Sequence, residues 1–200
     1  MIDREALRGI DVVGQARGLL GVRLVTEVDG APASGRIVET EAYRGRDDRA
    51  SHAYPLKRTR RTEVCFGAPG YAYVYLCYGI HRMFNVVCGP VGEPNVVLVR
   101  AVEPVGGVDV MLARRGLAKP QRRVAGGPGL VCEALGIALG HNRADLFDPA
   151  GPLRLEGAFG SVPDVDVEAS PRVGIAYAGG DASRPWRFRE RGSPFTSPAN

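Results

Sequence analysis

The stretch YAYVYLCYGIHRMFNVVC, residues 71–88, decides how the rest of the chain is arranged. Tyr71, Tyr73 and Tyr75 alternate with Ala72, Val74 and Leu76, the period of two that sends successive side chains to opposite faces of a strand. Tyr78 breaks the rhythm directly before Gly79, and a second strand-like run, 80–88, follows at once. The two runs read as a β-hairpin with Tyr78 at or near its tip. Asn85 has the opposite parity to Phe84 and Val86, so one face of the returning strand is polar there.

Working outward, NVVLVRAVEP (95–104) is a near-continuous apolar strand containing one arginine. On the other side, 22–28 and 35–43 read as strands joined by the turn-rich EVDGAPAS. Asp11 is placed to cap a helix in which Val12, Val13, Ala16, Leu19 and Leu20 recur at helical spacing, with Gly21 ending it. Residues 108–115 and 128–139 also read as helices, the second entered through AGGPG. PLRLEG (152–157), RVGIAYAG (172–179) and WRFRERG (186–192) read as late strands. Strands grouped centrally with helices flanking them predict an α+β fold, one compact domain over 1–200.

Composition narrows the function classes. Apolar residues make up 44% of the 200, and no tract has the length of a membrane span. The opening MIDREALRGI lacks the apolar core of a signal peptide, so a cytoplasmic protein is expected. Cys65, Cys77, Cys88 and Cys132 are scattered without a CxxC pair, which predicts reduced, mostly buried thiols and no zinc site. HExxH, P-loop and GxGxxG motifs are absent, so metalloprotease, NTPase and dinucleotide readings have no support. Only Lys57 and Lys119 are lysines, and neither has the apolar setting that Schiff-base chemistry requires.

The net charge of +4 is unevenly spread: residues 44–61 and 112–126 each carry +5, which leaves −6 for the remainder. Two basic segments on an acidic body fit either a polyanion-facing side or a pair of solvated loops. In GRIVETEAY (35–43), strand alternation puts Ile37, Glu39, Glu41 and Tyr43 on one face, with the two carboxylates about 7 Å apart. Such a pair suits general-base work, and it also suits a solvent-facing polar strand. Arg100, inside an apolar strand, needs an anionic partner, either a carboxylate or a phosphate. His52 lies in the basic loop, either solvated or able to stack on a base, while His81 and His141 read as surface residues. A hairpin-tip aromatic such as Tyr78 has nothing in its own strands to pack on and can act as a wedge between base steps. AGGPG (125–129) could offer backbone N–H groups to a phosphate.

GRIVETEAY, His52, YVYLCYG, Asn85, VLVRAVEP and the closing RGSPFTS resemble, in order and spacing, the alkyladenine (3-methyladenine) DNA glycosylase family over roughly residues 10–197. The resemblance implies a monofunctional base-excision enzyme that flips a damaged purine out of double-stranded DNA. Its fold would be a curved, mostly antiparallel sheet with flanking helices and a protruding β-hairpin. It implies neither metal nor cofactor, and a monomer acting at the nucleoid. Carried onto this chain, Glu41 would deprotonate the attacking water, and Arg100 would position that water and Glu41. Tyr43 would stack on one face of the purine, with His52 and Tyr75 against the other. Asn85 would sit at the base edge and help reject guanine, and Tyr78 would fill the gap in the duplex. The chain differs from the family pattern at Thr62, Cys65 and Ile80, where Asn, Met and Met are usual, and near 178–192, which lacks a Glu-Trp pair and a final Tyr. Two other classes compete: a non-catalytic nucleic-acid-binding domain, and a small-molecule glycosidase using Glu39 and Glu41 as an acid/base pair.

Overall fold

The computed structural model describes residues 1–121 and 123–197. The Asp11 carboxylate accepts from the Val13 and Gly14 N–H groups and starts helix α1 (Val12–Gly18). Gly21, at φ +85°, then turns the chain into strand β1 (Arg23–Val28). Strand β2 (Ala31–Arg44) precedes the long basic loop, and the predicted hairpin is β3 (Ala72–Cys77) and β4 (His81–Cys88). Strand β5 (Asn95–Gly106) leads into helix α2 (Val108–Arg114). After helix α3 (Pro128–Leu135) come strands β6 (Leu153–Glu156), β7 (Val167–Ser170) and β8 (Arg187–Glu190).

The strands form one curled antiparallel sheet in the order β3-β4-β5-β2-β1-β6, with β8 paired to β2 and β7 to β8. Strand β2 is its pivot. One edge pairs with β5 over 34–44; the other pairs with β1 over 31–36 and with β8 over 39–41. The expected α+β class is the class observed.

The hairpin alternation sorts two faces. Ala72, Val74, Phe84, Val86, Val97 and Val99 join the main core under α1 and α3, together with Val12, Leu19, Val131 and Leu135. On the opposite face Tyr73, Val87 and Val96 pack with Tyr43, Tyr71 and Tyr75 in a second cluster.

Three expectations need correction. Ile37 belongs to the main core and does not share a face with Glu39, because the β2–β5 register shifts on both sides of Glu39. Such an irregularity reverses side-chain parity. RVGIAYAG is not a strand; it bends at Gly174 (φ +73°) into 3₁₀ turns over Ala176–Ser183 that are broken by a kink at Gly179. Its polar groups go to side chains, Arg172 to Asp48 and the Val173 N–H to Glu41. The strand that does pair with β8 is β7. Finally, the helix expected over 128–139 stops at Leu135, where Gly136 takes the left-handed conformation (φ +71°).

Candidate active site

Strand β4 pairs with β5 only through Asn85–Cys88, so the outer half of the hairpin projects beyond the sheet. At its end the Ile80 N–H donates to the Cys77 carbonyl at 3.1 Å, around Tyr78 (φ +50°) and Gly79 (φ +74°). Two successive left-handed residues are the type I′ arrangement. That conformation costs a tyrosine about 1–2 kcal/mol relative to glycine. Tyr78 is nevertheless held there 89% exposed, with the exposed Ile80 beside it.

Between the hairpin, the basic loop and the 171–177 segment lies a cavity of about 470 Å³. Tyr43, His52, Tyr73, Tyr75, Asn85 and Arg100 all line it, together with Cys65 and Tyr177. The rings interlock: His52 meets Tyr75 edge-on at 4.7 Å, and Tyr73 and Tyr75 lie 5.2 Å apart. The Arg61 guanidinium covers Tyr75 at 4.6 Å and donates to His52 Nε2 at 3.2 Å. With Nε2 accepting, the His52 proton belongs on Nδ1, which donates to the Tyr73 hydroxyl at 3.1 Å. Tyr73 is thus the support of His52. The Asn85 amide donates to the Tyr73 carbonyl at 3.1 Å and is almost wholly buried.

His52 keeps an exposed edge, yet burial against these rings, and then the Arg61 charge, pull its pKa down from 6.5 to about 4. The imidazole is therefore neutral throughout the physiological range. Because the folded pKa is the lower one, stability supported by neutral His52 is complete above about 6.5 and declines as pH falls towards 4. The His52 ring resonances are expected to titrate with a midpoint near 4. A midpoint at the ordinary histidine value would contradict the packing described.

Glu39 and Glu41 do not form a solvent-facing polar face: both are completely buried. Glu41 Oε1 accepts the Val173 N–H at 2.8 Å and lies 3.2 Å from Arg100 Nη1, and Oε2 accepts the Tyr43 hydroxyl at 2.7 Å. Glu41 does not itself line the cavity; the three residues that hold it, Tyr43, Arg100 and Val173, do. Desolvation, then the Glu41 charge, raises the Tyr43 pKa well above its usual value, so the ring remains a phenol that donates. Arg100 bridges both carboxylates, with Nε 2.8 Å from Glu39. Glu39 is also bound by Arg187 and Ser197. So enclosed, it cannot act as the second member of a glycosidase acid/base pair.

The basic segments are only partly free. Arg44, Arg46 and Arg58 pair with Asp47, Glu93 and Glu63. Arg114 donates to the Val28, Ala31 and Ala134 carbonyls, and Arg115 to Val124 and Glu133. Exposed cations that remain include Arg49, Lys57, Arg60, Lys119 and Arg123. Thr62 fixes the loop by accepting the Thr59 N–H and donating to the Lys57 carbonyl. In the AGGPG entry to α3, Pro128 occupies the first position and so offers no N–H. Among the described residues no group of three His, Cys, Asp or Glu side chains is arranged to hold a metal, and no helix is long and apolar enough to cross a membrane.

Sequence reasoning missed several contributors. Arg172 pairs with Asp48 through both oxygens, at 2.5 and 2.8 Å, and lies 4.7 Å over the Tyr43 ring. Arg172 opens the run RVGIAYAG after Ser170 and Pro171, so it lacked the apolar setting on both sides that marked Arg100. Tyr177 is 70% exposed at the cavity mouth, with its hydroxyl donating to the Ala50 carbonyl at 3.2 Å.

Comparison with known proteins matches residues 7–194 to the family model for methylpurine-DNA glycosylase. A protein of Bacillus cereus (strain B4264) named "Putative 3-methyladenine DNA glycosylase" is 45% identical over 193 residues, covering 94% of each chain. Similar proteins with the same name occur in Bacillus thuringiensis (strain Al Hakam), 44% identical over 199 residues, and Bacillus anthracis (strain CDC 684 / NRRL 3495), 45% identical over 193, again covering 94% of each chain.

Proposed function

Since the chain belongs to the methylpurine-DNA glycosylase family and is a hydrolase of the N-glycosidic bond, we propose that it flips an alkylated or deaminated purine from duplex DNA and releases it with a water activated by Glu41. The observation that carries this reading is the hold on Glu41. A buried carboxylate gripped by a guanidinium, a backbone N–H and a phenol lies immediately behind the wall of an aromatic cavity.

Extruding a base costs a few kcal/mol, least for a damaged or poorly paired one. Stacking returns about 1–3 kcal/mol per aromatic contact. Tyr43 on one side, with His52 and Tyr75 on the other, supplies that surface. Electron-rich rings also favour a purine made cationic by alkylation on a ring nitrogen. Tyr78 occupies the vacated position in the duplex, and Asn85 reads the base edge.

The partners of Glu41 indicate where the water enters. Displacing Arg100 or the Val173 N–H from Oε1 would strand a buried charge or a backbone donor. Oε2 is bound by a phenol, which a water can replace at the lowest cost. Water held there gives its proton to Glu41 while its oxygen attacks C1′. The glycosidic electron pair leaves with the purine, and an abasic sugar remains. A cationic base leaves without further protonation. His52, neutral at physiological pH, is a poor acid for a neutral lesion.

The reading requires one copy of the chain per lesion and places its work at the nucleoid. The test uses duplexes carrying 3-methyladenine, 7-methylguanine, ethenoadenine or hypoxanthine, followed by alkaline cleavage. Abasic product from at least one lesion is expected, with affinity falling as salt rises. No product from any of them would overturn the proposal, and nicking without alkali would exclude a monofunctional reaction.

A further inference from the structure

Arg100 is presented to Glu41 by groups that lie far away in the chain. Its guanidinium is held along one edge, with Nε donating to Glu39 Oε1 at 2.8 Å and Nη2 to Ser197 Oγ at 3.2 Å. Only Nη1 is then turned towards Glu41, at 3.2 Å. Glu39 is fixed in turn: Oε1 accepts from Arg187 Nε at 2.7 Å and from Ser197 Oγ at 2.8 Å, and Oε2 accepts the Ser197 N–H at 2.5 Å. Arg187 Nη2 reaches both the Ser197 carbonyl and its hydroxyl. Glu39, Arg100, Arg187 and Ser197 are all buried.

The Ser197 hydroxyl is the hub of this arrangement. A hydroxyl has one proton to give and two lone pairs. Here the proton goes to Glu39, and the lone pairs face the guanidiniums of Arg100 and Arg187. A methyl group in its place would leave a buried Arg100 N–H without an acceptor, in surroundings where that is costly. The guanidinium would then turn to satisfy Nη2, at the expense of its contact with Glu41.

We infer that Ser197, acting through Glu39 and Arg100, is a positioning residue for the Glu41 carboxylate. The segment after β8 is thereby part of the active site without touching the cavity. This inference rests on the proposed role of Glu41.

The experiment is single-turnover and steady-state excision by Ser197→Ala and Ser197→Thr, well below the melting temperature of each. The expected result for S197A is a fall in kcat of about 10- to 100-fold, the cost of a small misplacement of a reacting group. KM for lesion DNA should be unchanged because Ser197 touches none of Tyr43, His52 and Tyr75, the rings proposed to hold the base, and S197T should restore the rate. If S197A does not fold, Ser197→Cys keeps the volume with a weaker hydrogen-bonding group and should show the same kcat loss. Unchanged kcat, or a loss that follows the folded fraction alone, would overturn the inference. Glu41→Gln run alongside separates the two readings: an active E41Q removes the premise, whereas an inactive E41Q with a normal S197A removes only the role of Ser197.

Discussion

Glu41→Gln is expected to slow base release by about 10²- to 10⁴-fold, the usual contribution of a positioned general base, while lesion-containing duplex is still bound. The substitution keeps the volume of the side chain. A glutamine carbonyl placed where Oε1 stands can still accept from Val173 and Arg100. Its amide nitrogen then faces the Tyr43 oxygen, which can accept as readily as donate. Arg100 keeps Glu39 as a counter-charge. The cavity wall is therefore preserved and only the capacity to take a proton is lost. Single-turnover excision beside equilibrium binding to the same duplex tests this. A rate within about tenfold of the parent protein would assign the base to another group.

Asp48→Ala is expected to cost about 3–5 kcal/mol of stability, the range for leaving one member of a buried ion pair without its partner. For a chain of this size that lowers the melting temperature by about 6–20 °C. Neither side chain of the Asp48–Arg172 pair has any exposed surface. Asp48 also accepts the Ala50 and Arg44 N–H groups, and Arg172 donates to the Ala42 and Asp181 carbonyls. The pair therefore fastens the basic loop to the bend that supplies the Val173 N–H to Glu41. The same variant should lose excision at temperatures where it remains folded, because the N–H contact to Glu41 depends on that bend. Calorimetric melting and excision at low temperature measure the two effects, and a melting temperature within 2 °C of the parent would show that the pair carries no such weight (about 1 kcal/mol or less).

The parts of the molecule set by short-range periodicity were legible in the sequence. Alternation in 71–77 and the Tyr78-Gly79 step gave the hairpin, its exposed tip and the separation of Tyr75 and Asn85 from the core side chains. Asp11 marked the start of α1, and the buried cost of Arg100 required an anionic partner, a carboxylate or a phosphate; the fold supplies two carboxylates. The resemblance of GRIVETEAY, YVYLCYG and VLVRAVEP to one glycosylase family agrees with the family match over residues 7–194.

What only the tertiary structure decided depends on partners distant in the chain. The register shift at Glu39 arises where β2 exchanges β1 for β8, a pairing that no local pattern records, and it turned Ile37 to the core. RVGIAYAG has the alternation of a strand, yet Asp48, 124 residues before Arg172, and Glu41, 132 before Val173, take its polar groups out of any ladder. Ser197 meets Glu39 across 158 residues. Alternation acts between neighbours and is written in each segment. An arginine states that it needs an acceptor, but which carboxylate arrives is settled only when the whole sheet closes around it.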